Sequence, residues 1–168
     1  MTVIRPERPA DAPAIRDVVT AAFDARDEAD LVDALRDSPA FVPGLSLVAV
    51  DGDDVVGHVL FSELAVSGPA DALVLAPLAV TPDRQGQGVG SDLVATGLDR
   101  ARVLGYDLVF LHGSPAFYPR FGFEPAAAAG VENPFPVPDE EFMAVELTPG
   151  ALSEAAGALT YPAAFDAL

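Results

Sequence analysis

A glycine-rich turn between an apolar strand and an amphipathic helix most constrains what this 168-residue chain can fold into. Residues 73–80 form a nearly unbroken apolar run that stops before Pro82, which predicts a buried central strand. The turn follows as Gln85-Gly86-Gln87-Gly88-Val89-Gly90 and opens a predicted helix that ends at Gly105. A buried strand, a glycine turn and a helix in this order favour an α/β fold.

The turn is also the main chemical signal in the sequence. The first N–H groups of a helix lack intrahelical acceptors, and together with the helix dipole they bind anions without any lysine. Glycine keeps the backbone accessible to such an anion, and Arg84 adds a positive charge at the edge of the turn. A tight strand-to-helix connection without a ligand is the alternative interpretation. The dinucleotide-binding fingerprint does not fit, because Ser91 stands where its third glycine is needed.

Composition excludes several kinds of chemistry. The chain has no cysteine, and its nine basic residues are all arginine, which excludes thiolate nucleophiles, thiolate zinc sites, lysine Schiff bases and P-loops. Its two histidines, His58 and His112, cannot form a three-histidine metal site. The net charge of -17 disfavours nucleic acid and anionic membranes as partners. We therefore expect no metal, no nucleic-acid partner and no membrane partner.

Length and hydropathy indicate one folded domain. With 168 residues and 51% hydrophobic content, the chain can bury a substantial core despite its acidic character. No apolar run reaches the roughly 18 residues that span a bilayer, and the first residues lack a signal-peptide pattern. We expect a cytoplasmic protein with one domain over residues 1–168, comprising a core at about 2–147 and a C-terminal extension at 148–168.

Hydrophobic periodicity and turn signals predict the other elements. Asp11 is expected to cap a first helix, with Pro13 in its first turn. The sequence Asp51-Gly52-Asp53-Asp54 predicts a hairpin turn, and Gly57 a bulge in the returning strand. The predicted strands are 3–5, 45–50, 55–66, 73–80, 108–111 and 142–147, a second helix covers 28–36, and a short aromatic helix lies within 114–121.

Two motifs resemble those of the GNAT N-acetyltransferase superfamily. The segment from Leu78 to Gly90 is similar to its acetyl-CoA signature, and Tyr118-Pro119-Arg120-Phe121-Gly122-Phe123 is similar to its second landmark. Both occur in the family's order and spacing, and Ile4-Arg5-Pro6 is a common opening there. The resemblance covers about residues 2–147. Within the superfamily, the segment Gly57-His58-Val59-Leu60-Phe61-Ser62 and the block from Phe117 to Phe123 most resemble the YhbS-like predicted acetyltransferases.

The resemblance implies a fold and a cofactor site. The fold is a GNAT-like mixed, mostly antiparallel central sheet flanked by helices, with splayed parallel strands that form the acetyl-CoA cleft. The implied pantetheine contacts are Leu78, Ala79 and Val80, whose strand also offers an N–H near Val80 to the thioester oxygen. The implied pyrophosphate contacts are Arg84, Gln85, Gly86, Gln87, Gly88, Val89, Gly90 and Ser91. The implied second wall of the cleft consists of Ala116, Phe117, Tyr118 and Phe121.

The resemblance also suggests catalytic residues. Tyr118 is the candidate general acid, which would protonate the departing CoA thiolate, although it can instead serve only to pack against pantetheine. Some relatives use a glutamate on the central strand as the base, but residues 73–80 hold no acid. Glu63 on the preceding strand is the main remaining candidate and His58 a weaker one, and each also fits a structural role. We expect His112 to pack rather than to contact CoA.

The function that the resemblance implies is an acetyl-CoA-dependent N-acetyltransferase. It would move the acetyl group of its co-substrate to a primary amine of an unidentified acceptor by direct attack, as a monomer or a homodimer. The acceptor classes left open are a small metabolite, an antibiotic-like amine and a protein N-terminus. A non-catalytic acyl-CoA-binding sensor or partner module is the alternative, which the missing central-strand glutamate permits. A purely structural α/β domain would leave both motifs unexplained.

Overall fold

The computed structural model describes residues 2–155 and 158–167 and contains a mixed, mostly antiparallel sheet. The strands are β1 (Thr2–Pro6), β2 (Phe41–Asp51), β3 (Asp54–Leu64), β4 (Ala72–Val80), β5 (Leu108–His112), β6 (Glu124–Pro125) and β7 (Phe142–Glu146). The helices are α1 (Ala12–Phe23), α2 (Asp27–Arg36), α3 (Val89–Val103) and α4 (Ala151–Glu154). The strand order is β1-β2-β3-β4-β5-β7-β6, and β4 and β5 are the parallel pair.

The predicted fold class is confirmed, and six of the strands match the predicted ones. The sequence missed β6, whose two residues are too few to produce an alternating pattern. The predicted C-terminal extension at 148–168 contains α4 and a short helix at Ala163–Ala167. Residues 156, 157 and 168 of this extension, and Met1 of the predicted domain, lie outside the described residues.

Contacts divide the chain into two compact units. The first unit comprises Met1–Ser62, Ala76–Arg100 and Pro162–Leu168, and the second comprises Glu63–Leu75 and Ala101–Tyr161. The single domain that we expect from the length stays a prediction.

The first unit begins with an antiparallel arrangement of β1, β2 and β3. The pairing of Asp51 with Asp54 closes the hairpin, and Gly52 adopts a φ of 64°, as the Asp-Gly signal predicts. Ala49 pairs with Gly57 but Val50 pairs with Val55, so Val56 is the extra residue. The predicted bulge is therefore confirmed, one residue before Gly57.

The helices of the first unit follow the predicted periodicity, but the predicted cap is wrong. Helix α1 begins next to Asp11 and buries Ile15, Val18 and Val19, which lie on one helical face. The Asp11 carboxylate makes no capping bond to α1. It accepts hydrogen bonds from the Arg5 guanidinium at 2.7 and 3.1 Å and from the Arg8 N–H at 2.7 Å. These donors engage both carboxylate oxygens, and the two bonds from Arg5 are charge-assisted, so the carboxylate is directed away from a capping role.

Helix α3 packs against β3 at two glycines. A Cβ added at Gly97 would overlap the fully buried Phe61 ring, with its Cζ at 2.6 Å. A Cβ added at Gly57 would lie 2.9 Å from Leu93 Cδ1 and 3.1 Å from Val89 Cγ1. The two glycines thus let helix and strand approach more closely than side chains would allow.

A buried polar cluster, composed of His58, Ser46, Glu7 and Arg36, connects β3, β2, the end of β1 and α2. The Ser46 hydroxyl donates to Glu7, which also accepts from Arg36 Nε at 2.8 Å. His58 Nε2 lies 2.9 Å from Ser46 Oγ. Because the Ser46 hydroxyl gives its proton to Glu7, the tautomer that fits has the proton on Nε2 and donates it to Ser46 Oγ. Burial, with a smaller effect of the Arg36 charge, lowers the pKa of His58 to about 3. His58 is therefore neutral at physiological pH.

The second unit is organised around β5. The strand pairs antiparallel with β7 from Leu108↔Glu146 to His112↔Phe142, and in parallel with Ala72, Leu73 and Val74 of β4. Ahead of β5, the Asp107 carboxylate accepts from the Asp71 N–H at 2.9 Å and from the Thr148 hydroxyl at 2.7 Å. These bonds tie together the segments that lead into β4 and β5 and out of β7.

The Gly97→Ala substitution tests the close packing of α3 on β3. The added methyl would collide with the buried Phe61 ring, so we expect a loss of about 1–3 kcal/mol of unfolding free energy, as for other overpacked cores. Urea unfolding followed by circular dichroism measures this change. Phe61→Leu in the Gly97→Ala background should recover part of the loss, whereas a fully additive double variant would contradict the proposed contact.

The neutral, buried His58 should make the protein less stable in acid. Its pKa is lower in the folded state than in the unfolded state, so its stabilising contribution is complete above about pH 6.5 and is lost as the pH falls towards 3. His58→Gln keeps a donor for Ser46 but does not titrate. Between pH 6.5 and 3, the wild type should lose on the order of 4 kcal/mol more than this variant in chemical unfolding. Equal pH slopes for both proteins would refute the assignment.

Candidate active site

In the first unit, β4 leads directly into the glycine turn. Along its last residues, Ala79 is buried, whereas Leu78 and Val80 are partly exposed, as expected for a strand with two faces. The parallel ladder to β5 covers Ala72–Val74. The N–H of Thr81 donates to Val56 O of β3 at 2.9 Å, which fixes the strand where the turn begins.

The glycines of the turn are required by backbone conformation. Gly86 and Gly88 have φ values of 77° and 88°, a region that side chains strongly disfavour. A Cβ at either position would meet no atom within 4 Å, so crowding within the chain is not the reason for glycine there. Gln85 and Gln87 brace the turn by donating from their side chains to Val80 O at 3.0 Å and Asp83 O at 3.2 Å. Residues 85–88 are exposed.

Helix α3 starts immediately after this turn and directs N–H groups towards it. The Asp92 N–H donates to Gly88 O at 3.0 Å, which is the first hydrogen bond of the helical pattern. The N–H groups of Val89, Gly90 and Ser91 precede that bond and have no acceptor within the helix. Val89 is buried, and Gly90 and Ser91 are partly exposed. The predicted sequence of strand, glycine turn and helix is thus present in the backbone.

Arg84 is less available to bind an anion than the sequence suggests. Its guanidinium lies 2.6 Å from the Asp51 carboxylate in the β2–β3 hairpin turn. This hydrogen bond and the charge of Arg84 lower the pKa of Asp51, so the pair stays ionised at physiological pH. Arg84 therefore connects the glycine turn to the hairpin, and Asp51 offsets much of its charge.

In the second unit, the aromatic segment after β5 is organised by Ser114. Its hydroxyl accepts from the Ala116 N–H at 3.2 Å, and its carbonyl accepts from the N–H groups of Phe117 and Tyr118 at 3.1 and 3.2 Å. Ala116 is exposed, and Phe117 packs edge-on against Phe121 with ring centres 5.4 Å apart. Ser114 therefore holds the segment that leads into the short helix Tyr118–Phe121, whose N-cap position is Phe117 and carries no side-chain capping bond.

Tyr118 is a partly exposed residue with a protonated phenol. Its ring packs edge-on against Phe117 at 4.9 Å and against Phe123 at 5.8 Å. Burial raises the pKa of Tyr118 to about 12. The phenol therefore keeps its proton throughout the physiological range and can act as a hydrogen-bond donor.

The two base candidates have different surroundings. Glu63 is exposed, and its carboxylate accepts a hydrogen bond from Tyr106, whose pKa is raised to about 12 by burial and then by Glu63. Tyr106 is a partner that the sequence did not reveal, because the two residues are far apart in the chain. His58 is fully buried in its polar cluster and has a pKa near 3, so it fits the structural role and not that of a base.

His112 packs, as expected. Its ring stacks on Phe142 at 5.0 Å and meets Phe135 edge-on at 4.8 Å, and its Nε2 lies 3.2 Å from Asn133 Oδ1. Burial lowers the pKa of His112. Asn133 also donates to Val137 O at 2.8 Å and thereby shapes the proline-rich loop. No local sequence signal pointed to Asn133.

Within the described ranges, the structure contains neither a candidate metal site nor a candidate membrane span. In residues 2–155 and 158–167, no group of three or more His, Asp or Glu side chains is arranged to hold a metal ion. Within the same ranges, no helix has the length and apolar character needed to cross a bilayer.

Comparison with known proteins identifies the class of protein. Residues 12–123 match the family model described as the acetyltransferase (GNAT) family. The chain is 44% identical to the N-acetyltransferase YjhQ of Escherichia coli K12 over 134 residues, which are 77% of this chain and 74% of YjhQ. It is 38% identical to the N-acetyltransferase YhbS of the same strain over 161 residues, or 95% of both chains.

Two solved structures agree with this class. The crystal structure of YhbS from Escherichia coli in complex with CoA superimposes with a TM-score of 0.91 at 38% identity, covering 98% of this chain and 92% of that one. A GNAT acetyltransferase from Brucella melitensis in complex with acetyl-CoA gives a TM-score of 0.82 at 35% identity, covering 99% of both chains. The chain therefore belongs to the GNAT family of N-acetyltransferases, as its two motifs predict.

Proposed function

We propose that this enzyme transfers the acetyl group of acetyl-CoA to a primary amine by direct attack of the amine on the thioester. The observation that carries the proposal is the turn between β4 and α3, where Gly86 and Gly88 take positive φ values and three helix-opening N–H groups follow. Relatives at 38% and 35% identity were solved with CoA and acetyl-CoA, which supports the same cofactor here.

The backbone of the turn is the proposed pyrophosphate site. Because Asp51 offsets the charge of Arg84 and the chain carries a net charge of -17, side chains offer phosphate little attraction. The N–H groups of Val89, Gly90 and Ser91 and the dipole of α3 supply it instead. We assign the residues from Arg84 through Gln85, Gly86, Gln87 and Gly88 to Ser91 to this contact.

The end of β4 is the proposed site for pantetheine and the thioester. The N–H groups of a strand alternate in direction, and that of Thr81 points to β3. The N–H of Val80 therefore points away from β3, and that of Leu78 does so as well. In our proposal, these groups bind pantetheine, and the Val80 N–H stabilises the negative charge that develops on the thioester oxygen.

We propose Tyr118 as the general acid. When the amine nitrogen attacks the carbonyl carbon, the C–S bond breaks and negative charge appears on the CoA sulfur. A phenol with a pKa near 12 retains its proton until that charge develops, and it can then donate a hydrogen bond or the proton to sulfur. Ala116, Phe117 and Phe121 are assigned to cofactor contact beside it.

For the general base, our candidate remains Glu63, acting through water on the acceptor's ammonium group. Its hydrogen bond from Tyr106 leaves lone pairs on the carboxylate that can accept a further donor. Amines that are already neutral at the assay pH would not need this residue. A sensor or partner module without turnover is not favoured, because the relatives YjhQ and YhbS are named N-acetyltransferases.

Gly88→Glu tests the pyrophosphate site. A carboxylate next to the helix-opening N–H groups would occupy the anion site and repel phosphate, so acetyl-CoA affinity should fall at least about 100-fold in calorimetric titration. Gly105→Glu is the matched control, because Gly105 has a similar φ of 91° and equally open surroundings beyond the other end of α3. Equal affinity losses in the two variants would refute the assignment.

Tyr118→Phe tests the acid. Removing the phenolic oxygen should lower kcat by about 100-fold or more while changing the KM for acetyl-CoA little, because the ring itself remains. CoA release from a panel of small amines, polyamines, aminoglycosides and peptide N-termini can be followed with a thiol reagent, since the chain has no cysteine. Acceptor-dependent release with an unchanged kcat in the variant would exclude Tyr118 as the acid. Tight acetyl-CoA binding without release to any amine would favour the sensor.

A further inference from the structure

The residue that follows β5 has no room for a side chain because the Tyr118 ring occupies that space. A Cβ added at Gly113 would overlap Tyr118 Cε2, and it would lie 2.9 Å from Tyr118 Cδ2 and 3.3 Å from Leu111 Cδ1. Contacts below 3.0 Å are essentially never found for real Cβ atoms. The phenol ring therefore lies directly on the backbone at the end of the strand.

Backbone conformation does not explain this glycine. Gly113 does not have a positive φ, unlike the next glycine along the chain, Gly122, whose φ is 96°. An alanine at position 113 would meet no backbone strain of the kind found at those glycines. The space taken by the Tyr118 ring is the remaining reason for glycine at this position.

Other contacts prevent the ring from moving aside easily. Phe117 and Phe123 meet it edge-on, and Phe123 is 1% exposed and so has little freedom to move. The Tyr118 N–H donates to Ser114 O at 3.2 Å, which holds the backbone of the ring's own residue. The Gly113 N–H donates to Glu141 O at 2.9 Å, which fixes the backbone at the end of the strand.

We propose that Gly113 is a positioning residue for acetyl transfer. Because Gly113 has no side chain, the Tyr118 ring can lie against its backbone, and this position sets where the phenol points. We call this space at Gly113 the seat of the Tyr118 ring. The inference rests on the proposed function of Tyr118 as general acid. A displaced phenol would be too far from the sulfur, and a misplacement of about 1 Å can cost a factor of 100 in rate. Gly113 itself contacts neither substrate in this proposal and acts through Tyr118.

Gly113→Ala tests the seat through kinetics. We expect kcat to fall about 10-fold to 100-fold and the KM for acetyl-CoA to change less than about 3-fold, because the cofactor-binding turn is untouched. In the Tyr118→Phe background, the same substitution should cause little further loss of kcat, since the phenol is already gone. Full additivity of the two losses would overturn the proposal.

A second measurement does not depend on activity. The chain has three tyrosines, so labelling with 3-fluorotyrosine gives three ¹⁹F resonances, and the Tyr118→Phe variant identifies that of Tyr118. Gly113→Ala should shift this resonance and leave those of Tyr106 and Tyr161 in place. An unmoved Tyr118 resonance would overturn the proposal, whatever the kinetics show. A third outcome separates the two proposals. If the Tyr118 resonance moves in Gly113→Ala but Tyr118→Phe keeps full kcat, Gly113 positions the ring and only the general-acid proposal for Tyr118 fails.

Stability gives a matched test if Gly113→Ala folds poorly. The collision involves the Tyr118 ring, so Gly113→Ala should lower the melting temperature in the wild type and have much less effect in a Tyr118→Ala background. Equal losses of stability in both backgrounds would show that the ring does not occupy the space, and the proposal would be wrong.

Discussion

The close packing of α3 on β3 is the interaction on which the candidate cofactor site depends. Gly57 of β3 accommodates the side chains of Val89 and Leu93 of α3. About one helical turn after Leu93, Gly97 of α3 accommodates the Phe61 ring of β3. Val89 is the first residue of α3, so its close approach to Gly57 fixes the helix at the end where the N–H groups have no acceptor within the helix. An anion site made of backbone groups has no flexible side chain to adjust its geometry, and its precision must come from such packing.

The polar cluster around His58 connects β3 to elements of the first unit that lie outside the contact between α3 and β3. Buried polar groups contribute little net stability, but they strongly disfavour arrangements in which they lose their partners. The cluster joins the end of β1 to β2, β3 and α2, and the bonds from Ser46 and Arg36 to Glu7 and between His58 Nε2 and Ser46 form only when these elements come together, whereas His58 Nδ1 is buried without a partner among the described residues. These contacts reinforce the strand register that the buried apolar face already favours.

Local patterns in the sequence predicted the elements and the backbone of the site, whereas partners distant in the chain were not predictable. The apolar run before Pro82, the turn with Gly86 and Gly88, and the aromatic segment at 114–121 each carry their signal within a few residues. The pairing of Arg84 with Asp51 and that of Glu63 with Tyr106 join residues more than thirty positions apart. Side-chain pairing at such a distance leaves no periodicity or spacing to read, so the sequence predicted the positive charge of Arg84 but not its acidic partner.

Because Arg84 is paired with Asp51, ionic strength should affect the encounter with the proposed cofactor differently than at most nucleotide sites. A nucleotide site built on free cations attracts its ligand from a distance, and salt weakens that attraction. In our proposal, a polyanionic cofactor approaches a protein with a net charge of -17, and Arg84 at the edge of the turn is already paired with Asp51. Salt screens the repulsion between the two and weakens the surface ion pair, so added salt is expected to speed the encounter and to free part of the Arg84 charge at the proposed phosphate site.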